Sequence, residues 1–191
     1  MIMKSGQAIE NRKAGERLTM ITSEADNGGA FQLYRVDLPP HRPGPPLHYH
    51  VAFAETFTVL EGTLDIYLGR ERRHLRLESG ESILAEAGQL HTFENHSDLP
   101  CSMTVETQPA GGVVRAFQLA YSVANDGGAA KDGLPKNLLV RLRFIQISQG
   151  FIPGPPRAFQ KALFAVAELL SRITGVERRL QRYLSDGCAP K

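Results

Sequence analysis

Residues 44–62, Gly-Pro-Pro-Leu-His-Tyr-His-Val-Ala-Phe-Ala-Glu-Thr-Phe-Thr-Val-Leu-Glu-Gly, constrain the fold more than any other stretch of this chain. His48 and His50 stand two apart, and residues i and i+2 of an extended strand point to the same side, so both imidazoles reach one point. Glu55 has the wrong parity to share that side on an unbroken strand. Residues 51–54 must therefore bend, so that Glu55 opens a new strand aimed at the same point. Two imidazoles and a carboxylate meeting at one spot suit a divalent first-row metal ion.

A second stretch, Gly80 to Asn95, reads as a strand, a tight turn at Gly88, and a further strand beginning near His91. With both stretches in view, the chain resembles the cupin superfamily, in the small, single-domain, quercetin-dioxygenase-like form. The first family motif, H-x-H-x(3,4)-E-x(6)-G, is matched by His48, His50, Glu55 and Gly62. The second, G-x(5)-P-x-G-x(2)-H-x(3)-N, is matched by Gly80, Gly88, His91 and Asn95. The resemblance implies that His48, His50, Glu55 and His91 together bind one metal ion inside a β-barrel. Two departures fall in turns: Glu86 stands where the second motif usually has proline, and Gly44 lies closer to His48 than the family's glycine. The prolines at 39, 40, 43, 45 and 46 fix φ on the approach to His48 and stiffen the expected barrel mouth.

Around these motifs the pattern is one of short strands with turn residues between them. Leu18 to Ile21, Phe31 to Leu38, the His48/His50 segment, Glu55 to Leu60 and Thr63 to Leu68 form the first half. Arg73 to Leu77, Glu81 to Ala85, His91 to Asn95 and Ser102 to Thr107 form the second. Many short, evenly spaced strands indicate a sandwich or small barrel, and the resemblance specifies a double-stranded β-helix, or jelly roll. Parity then predicts that Phe57 and Val59 share the inward face with Glu55, and that Phe93 and Asn95 share it with His91. Phe53, Phe57 and Phe93 are the expected aromatic walls. Glu106 and Asn95 are expected to support the ligands from behind, and His41 and His96 to lie near the entrance, while His74 reads as a surface residue.

After Thr107 the period changes. Val113 to Ala124 carries helical spacing and stops at Asn125-Asp126-Gly127-Gly128. Residues 126–133 read as a linker. Residues 134–149 fit a helix by length, and Gly150 to Pro156 forms a rigid break. From Arg157 to Thr174 the residues Phe159, Leu163, Val166, Leu170 and Ile173 make one apolar stripe that Gly175 ends. A more polar helix over residues 176–184 follows. The expected organisation is a cupin barrel over residues 1–125 and a linker with a C-terminal helical extension over residues 126–191. The stripe is expected to pack on the barrel or on a second subunit rather than on a membrane surface.

Composition excludes several classes. The 191 residues suffice for one well-cored domain plus an extension. A net charge of +2 leaves no footprint for nucleic acid. The cluster Arg70, Arg72, Arg73 and Arg76 is interleaved with Glu71 and Glu78, as a solvated hairpin would be. Cys101 and Cys188 form no disulfide framework, which fits a reducing compartment. The N-terminus has no apolar signal-peptide core and no run is long enough to span a membrane, so a cytoplasmic protein is expected.

The metal could be Fe, Mn, Ni, Zn or Cu, since imidazole with carboxylate suits each. Six-coordination would leave two positions for water, O2 or a bidentate substrate. The function expected from the resemblance is an oxygenase acting on a small enolisable or phenolic substrate, with Glu55 both ligand and transient base. The alternative is a non-catalytic small-ligand-binding or sensing module. The resemblance also implies a homodimer formed through barrel strands.

Overall fold

The computed structural model of the protein describes residues 2–186. Eleven strands come first: β1 (Ala8–Asn11), β2 (Glu16–Thr22), β3 (Gln32–Leu38), β4 (Arg42–Pro43), β5 (Tyr49–His50) and β6 (Ala54–Glu61), then β7 (Thr63–Leu68), β8 (Arg73–Glu78), β9 (Ser82–Ala85), β10 (His91–Asn95) and β11 (Cys101–Gln108). Helices α1 (Val113–Asn125) and α2 (Leu138–Ile147), strand β12 (Gly150–Phe151), and helices α3 (Arg157–Ile173) and α4 (Val176–Asp186) follow.

Two antiparallel sheets make the mainly-β jelly roll that the motifs imply. One runs β1-β2-β3-β11-β6-β9, and the other β4-β10-β7-β8. Alternation decides which side chains turn inward. On β3 the residues Tyr34, Val36 and Leu38 are buried, on β6 Glu55, Phe57 and Val59, and on β10 His91, Phe93 and Asn95. These faces meet Leu64, Ile66, Met103 and Val105 in a continuous core. The shared inward parity of Glu55 with Phe57 and Val59, and of His91 with Phe93, is as the sequence predicts.

Two glycines are fixed by close approach. Gly62 turns β6 into β7 at a φ of +79°, and a Cβ there would lie 2.4 Å from the Pro100 carbonyl oxygen. Gly44 lies against β10, where a Cβ would fall 1.7 Å from the Phe93 carbonyl oxygen.

Helix α1 belongs to both halves of the molecule. Val113, Val114 and Tyr121 face the β core, while Leu119 and Val123 join Val140, Leu180 and Leu184 in a second apolar cluster. The C-terminal helices therefore fold back onto the β-sheets through α1. Strand β12 pairs antiparallel with β5, Gly150 opposite His50 and Phe151 opposite Tyr49. No helix among the described residues is long and apolar enough to cross a membrane. Cys188 lies outside the described residues.

Of the two expected placements for the α3 stripe, the barrel or a second subunit, the structure excludes the first. Phe159, Leu163, Val166, Leu170 and Ile173 all face outward, and the buried side is Gln160, Phe164, Ala167 and Ser171. Gln160 explains the inversion. Its Oε1 accepts from the Ile152 backbone N–H at 3.1 Å, and its Nε2 donates to the carbonyls of Ile152 and Pro155 at 3.0 and 2.8 Å. A buried amide so satisfied costs little, and it clamps the proline-rich break to the helix.

Candidate metal centre

Strand pairing assembles the site. His48 and His91 form a bridge, His48 N–H donating to the His91 carbonyl at 3.1 Å and His91 N–H to the His48 carbonyl at 2.8 Å. Residues 51–53 turn the chain between β5 and β6, so that Glu55 faces back toward the two histidines. The result brings one donor atom from each of His48, His50, Glu55 and His91 within 4.8 Å of one another. The ring centroids of His48 lie 4.9 Å from those of His50 and 4.4 Å from those of His91.

The hydrogen-bond pattern leaves donors pointing inward. His48 Nδ1 pairs with the Pro46 carbonyl and His91 Nδ1 with the Gln89 carbonyl, each at 2.9 Å. Those bonds orient the rings and free Nε2, the arrangement expected behind a metal-binding imidazole. His91 Nε2 meets Glu55 Oε2 at 2.8 Å. His50 Nε2 lies 3.4 Å from the same oxygen and has no hydrogen-bond partner. An orphaned, buried ring nitrogen beside a buried carboxylate fits a cation between them. The donor set, three imidazoles and one carboxylate, fits a divalent first-row metal.

Electrostatics agrees with that chemistry. Burial pushes the His48 pKa down to about 3, helped by the neighbouring His91 and His50. Burial also lowers His50, against the pull of Glu55. For Glu55 burial pulls upward, but the His91 hydrogen bond and the three imidazoles outweigh it and the pKa falls below the usual value. For His91 burial pulls downward, but the bond to Glu55, the Glu55 charge and the Gln89 carbonyl together outweigh it and hold the pKa above its usual value. Neutral rings at His48 and His50 facing the Glu55 carboxylate are the protonation states a metal ion requires, and an ion would take the place of the proton that His91 shares with Glu55.

A cavity of about 120 Å³ opens directly on His48, His50 and Glu55. Phe57 and Phe93 form its floor, and the C-terminal half forms its roof through Phe144, Ile145 and Phe151. Beyond His48, His50 and Glu55, the only polar side chains lining it among the described residues are Tyr34 and Ser148. This roof was not expected. Its one sequence signal is the apolar run Gly150-Phe151-Ile152 after a helix, and only the pairing of β12 with β5 gives that run a place.

Several expected roles change. Phe53 is no cavity wall; it stacks behind His50 at 4.4 Å. Asn95 does not support a ligand, because its amide donates to the carbonyls of Pro39 and Leu99 and closes the loop after β10. The supports of His48 and His91 are backbone carbonyls, where Asn95 and Glu106 were expected. His41 and His96 are exposed and pair with Asp98 and Glu94, away from the cavity lining. His74 is half-exposed, bonded to the buried Asp65 at 2.7 Å.

The chain is similar to known proteins over part of its length. Over 67 residues the chain is 45% identical to "Probable oxidoreductase patJ" of Aspergillus clavatus and 43% identical to the protein of the same description from Penicillium expansum. Each match covers 35% of this chain and 20% of the relative, so the chain spans about a fifth of the length of the curated relatives it matches. Among solved structures it is similar to KdgF from Halomonas sp., at 15% identity and a TM-score of 0.43, over 49% of this chain and 78% of that one. It is also similar to a sugar phosphate isomerase of the cupin superfamily from Silicibacter pomeroyi, at 22% identity and a TM-score of 0.44, over 51% and 61%. The family model described as the cupin domain matches residues 34–106. That segment, which contains all four residues of the candidate centre, is a cupin domain.

Proposed function

We propose that this protein is a metal-dependent oxidoreductase, an oxygenase acting on a small, uncharged phenolic or enolisable substrate. The observation that carries the reading is a four-donor cluster of His48, His50, Glu55 and His91 at the base of an almost wholly apolar cavity. A bound Fe, Mn, Ni, Zn or Cu ion would supply a Lewis acid and a template for substrate and O2. The relatives' description as oxidoreductases supports the redox class.

The chain's own residues set the substrate's size and charge. An apolar cavity of about 150 Å³ takes one benzene ring, so a cavity of about 120 Å³ suits a single-ring compound better than a fused flavonol. Among the described residues no lysine or arginine lines it, so a carboxylate or phosphate would enter without a counter-charge. Phe57, Phe93 and Phe151 exclude water from around the ring. Glu55, a carboxylate at neutral pH, accepts the proton of the substrate hydroxyl at Oε2, where His91 and His50 already converge.

The test is O2 uptake by protein loaded anaerobically with Fe(II), against a panel of catechols, other phenols and enolisable single-ring compounds. Uptake above that of the His48→Ala/His91→Ala variant supports the proposal. Saturable thermal stabilisation without uptake for any metal replaces it with the binding or sensing alternative. We further propose a cytoplasmic location, supported by the buried, unpaired Cys101 thiol.

A further inference from the structure

The outward side of α3 is an apolar surface that none of the described residues covers. Phe159, Ala162, Leu163, Val166, Leu169, Leu170 and Ile173 are all exposed on it, with Phe159 at 60%, Val166 at 52% and Ile173 at 71%. A helix turns 100° per residue, which places these seven on one continuous face. Arg157, Lys161, Glu168 and Arg172 fall together on one flank, so the face itself carries no charge. Contiguous apolar surface of this extent on a folded chain marks an interaction site.

The spacing identifies the partner. Phe159 and Ile173 stand seven residues either side of Val166, Ala162 and Leu170 four either side, and Leu163 and Leu169 three either side. The face is therefore its own complement under a two-fold axis through Val166. In an antiparallel pairing Phe159 meets Ile173 of the other copy, Leu163 meets Leu169, and the small Ala162 accepts Leu170. Heptad steps at 159, 166 and 173 are the ones that keep an apolar seam facing a second helix. Two such helices, 17 residues and about 25 Å long, would cover on the order of 600 Å² per copy, near the ~800 Å² each partner contributes to a stable interface. A membrane surface would favour basic residues on both flanks of the apolar face, and here they occupy only one.

We propose that two copies of this chain associate through α3, antiparallel and centred on Val166, rather than through edge strands of the jelly roll. Helix α3 packs on α2, which roofs the cavity, so the same contact would hold the roof of each site in place.

Light scattering on the eluting full-length protein tests this. Twice the 21.0 kDa chain mass is expected for the wild type, and the single-chain mass for Val166→Asp with an unchanged circular dichroism spectrum. In a Cys188→Ser background, mild oxidation should cross-link Val166→Cys to itself but leave Ile173→Cys uncross-linked, since only residue 166 lies on the axis. A wild type of single-chain mass at all concentrations, a Val166→Asp dimer, or equal cross-linking at both positions would overturn the proposal. So would a monomer that sediments with anionic vesicles.

Discussion

At His48 burial dominates every other influence on charge, and the consequence is a pH dependence of stability. Its pKa drops from 6.5 to about 3, so between those values the unfolded chain binds a proton that the folded chain refuses. Stability then rises with pH across that window and is lost as pH falls through it. His50, also lowered by burial, acts in the same direction, and Glu55, held low by His91, adds loss at still lower pH. His91 opposes them: its raised pKa contributes stability at low pH that fades as pH rises through the folded value. Within that window His48 and His50 act together, Glu55 acting below it and His91 above it, so chelator-treated protein should lose urea resistance steadily from pH 6.5 to about pH 4. His48→Gln should flatten the profile, and an unchanged slope would mean that His48 is not the neutral ring described. Cys101 offers a second check at this scale. Burial lifts its thiol to about 11 and leaves it fully enclosed, so iodoacetamide should spare the Cys101 peptide until denaturant is added.

Among the elements, those whose side chains alternate in sequence were legible and those placed by tertiary contact were not. His48, His50 and Glu55 could be read because two strands and a bend fix parity, and parity needs only residue spacing, whereas His91 was implied by the family resemblance alone. β12 could not, since Gly150 and Phe151 become a strand only by meeting β5 a hundred residues earlier in the chain. The periodicity of α3 was visible, but which side is buried depends on Gln160 and Ser171, polar residues that a hydrophobic pattern assigns to solvent. Gly44 shows the same dependence. Nothing local demands glycine there, yet the backbone of β10 leaves no room for a Cβ. Gly44→Ala should therefore cost about 1–3 kcal/mol by overpacking, measured by urea unfolding. Because the displaced atom belongs to Phe93, a cavity wall, ligand or metal affinity should fall with it. An alanine variant as stable as the wild type would mean the segment before His48 moves freely.

On the scale of the whole molecule, α1 decides whether residues 1–125 and 126–191 are separable. If the second half were a mere appendage, removing it would leave the first half intact. Leu119 and Val123 on α1 are buried only because Val140, Leu180 and Leu184 cover them. Exposing two such side chains costs about 1.5–3 kcal/mol each, a large part of the roughly 5–15 kcal/mol that holds a domain together. The same truncation removes Phe144 and Phe151 from the cavity roof and strips β5 of its partner strand. His50 sits on β5, so loss of that pairing should reach the metal site directly. We therefore expect the full chain to unfold in one cooperative step, with metal affinity and stability lost together. The 1–125 fragment should bind the hydrophobic dye ANS, unfold at lower urea and hold metal weakly. A fragment with the midpoint and metal affinity of the full chain would show instead that the boundary at residue 125 separates two independent units, and that the roof plays no part in holding the quartet.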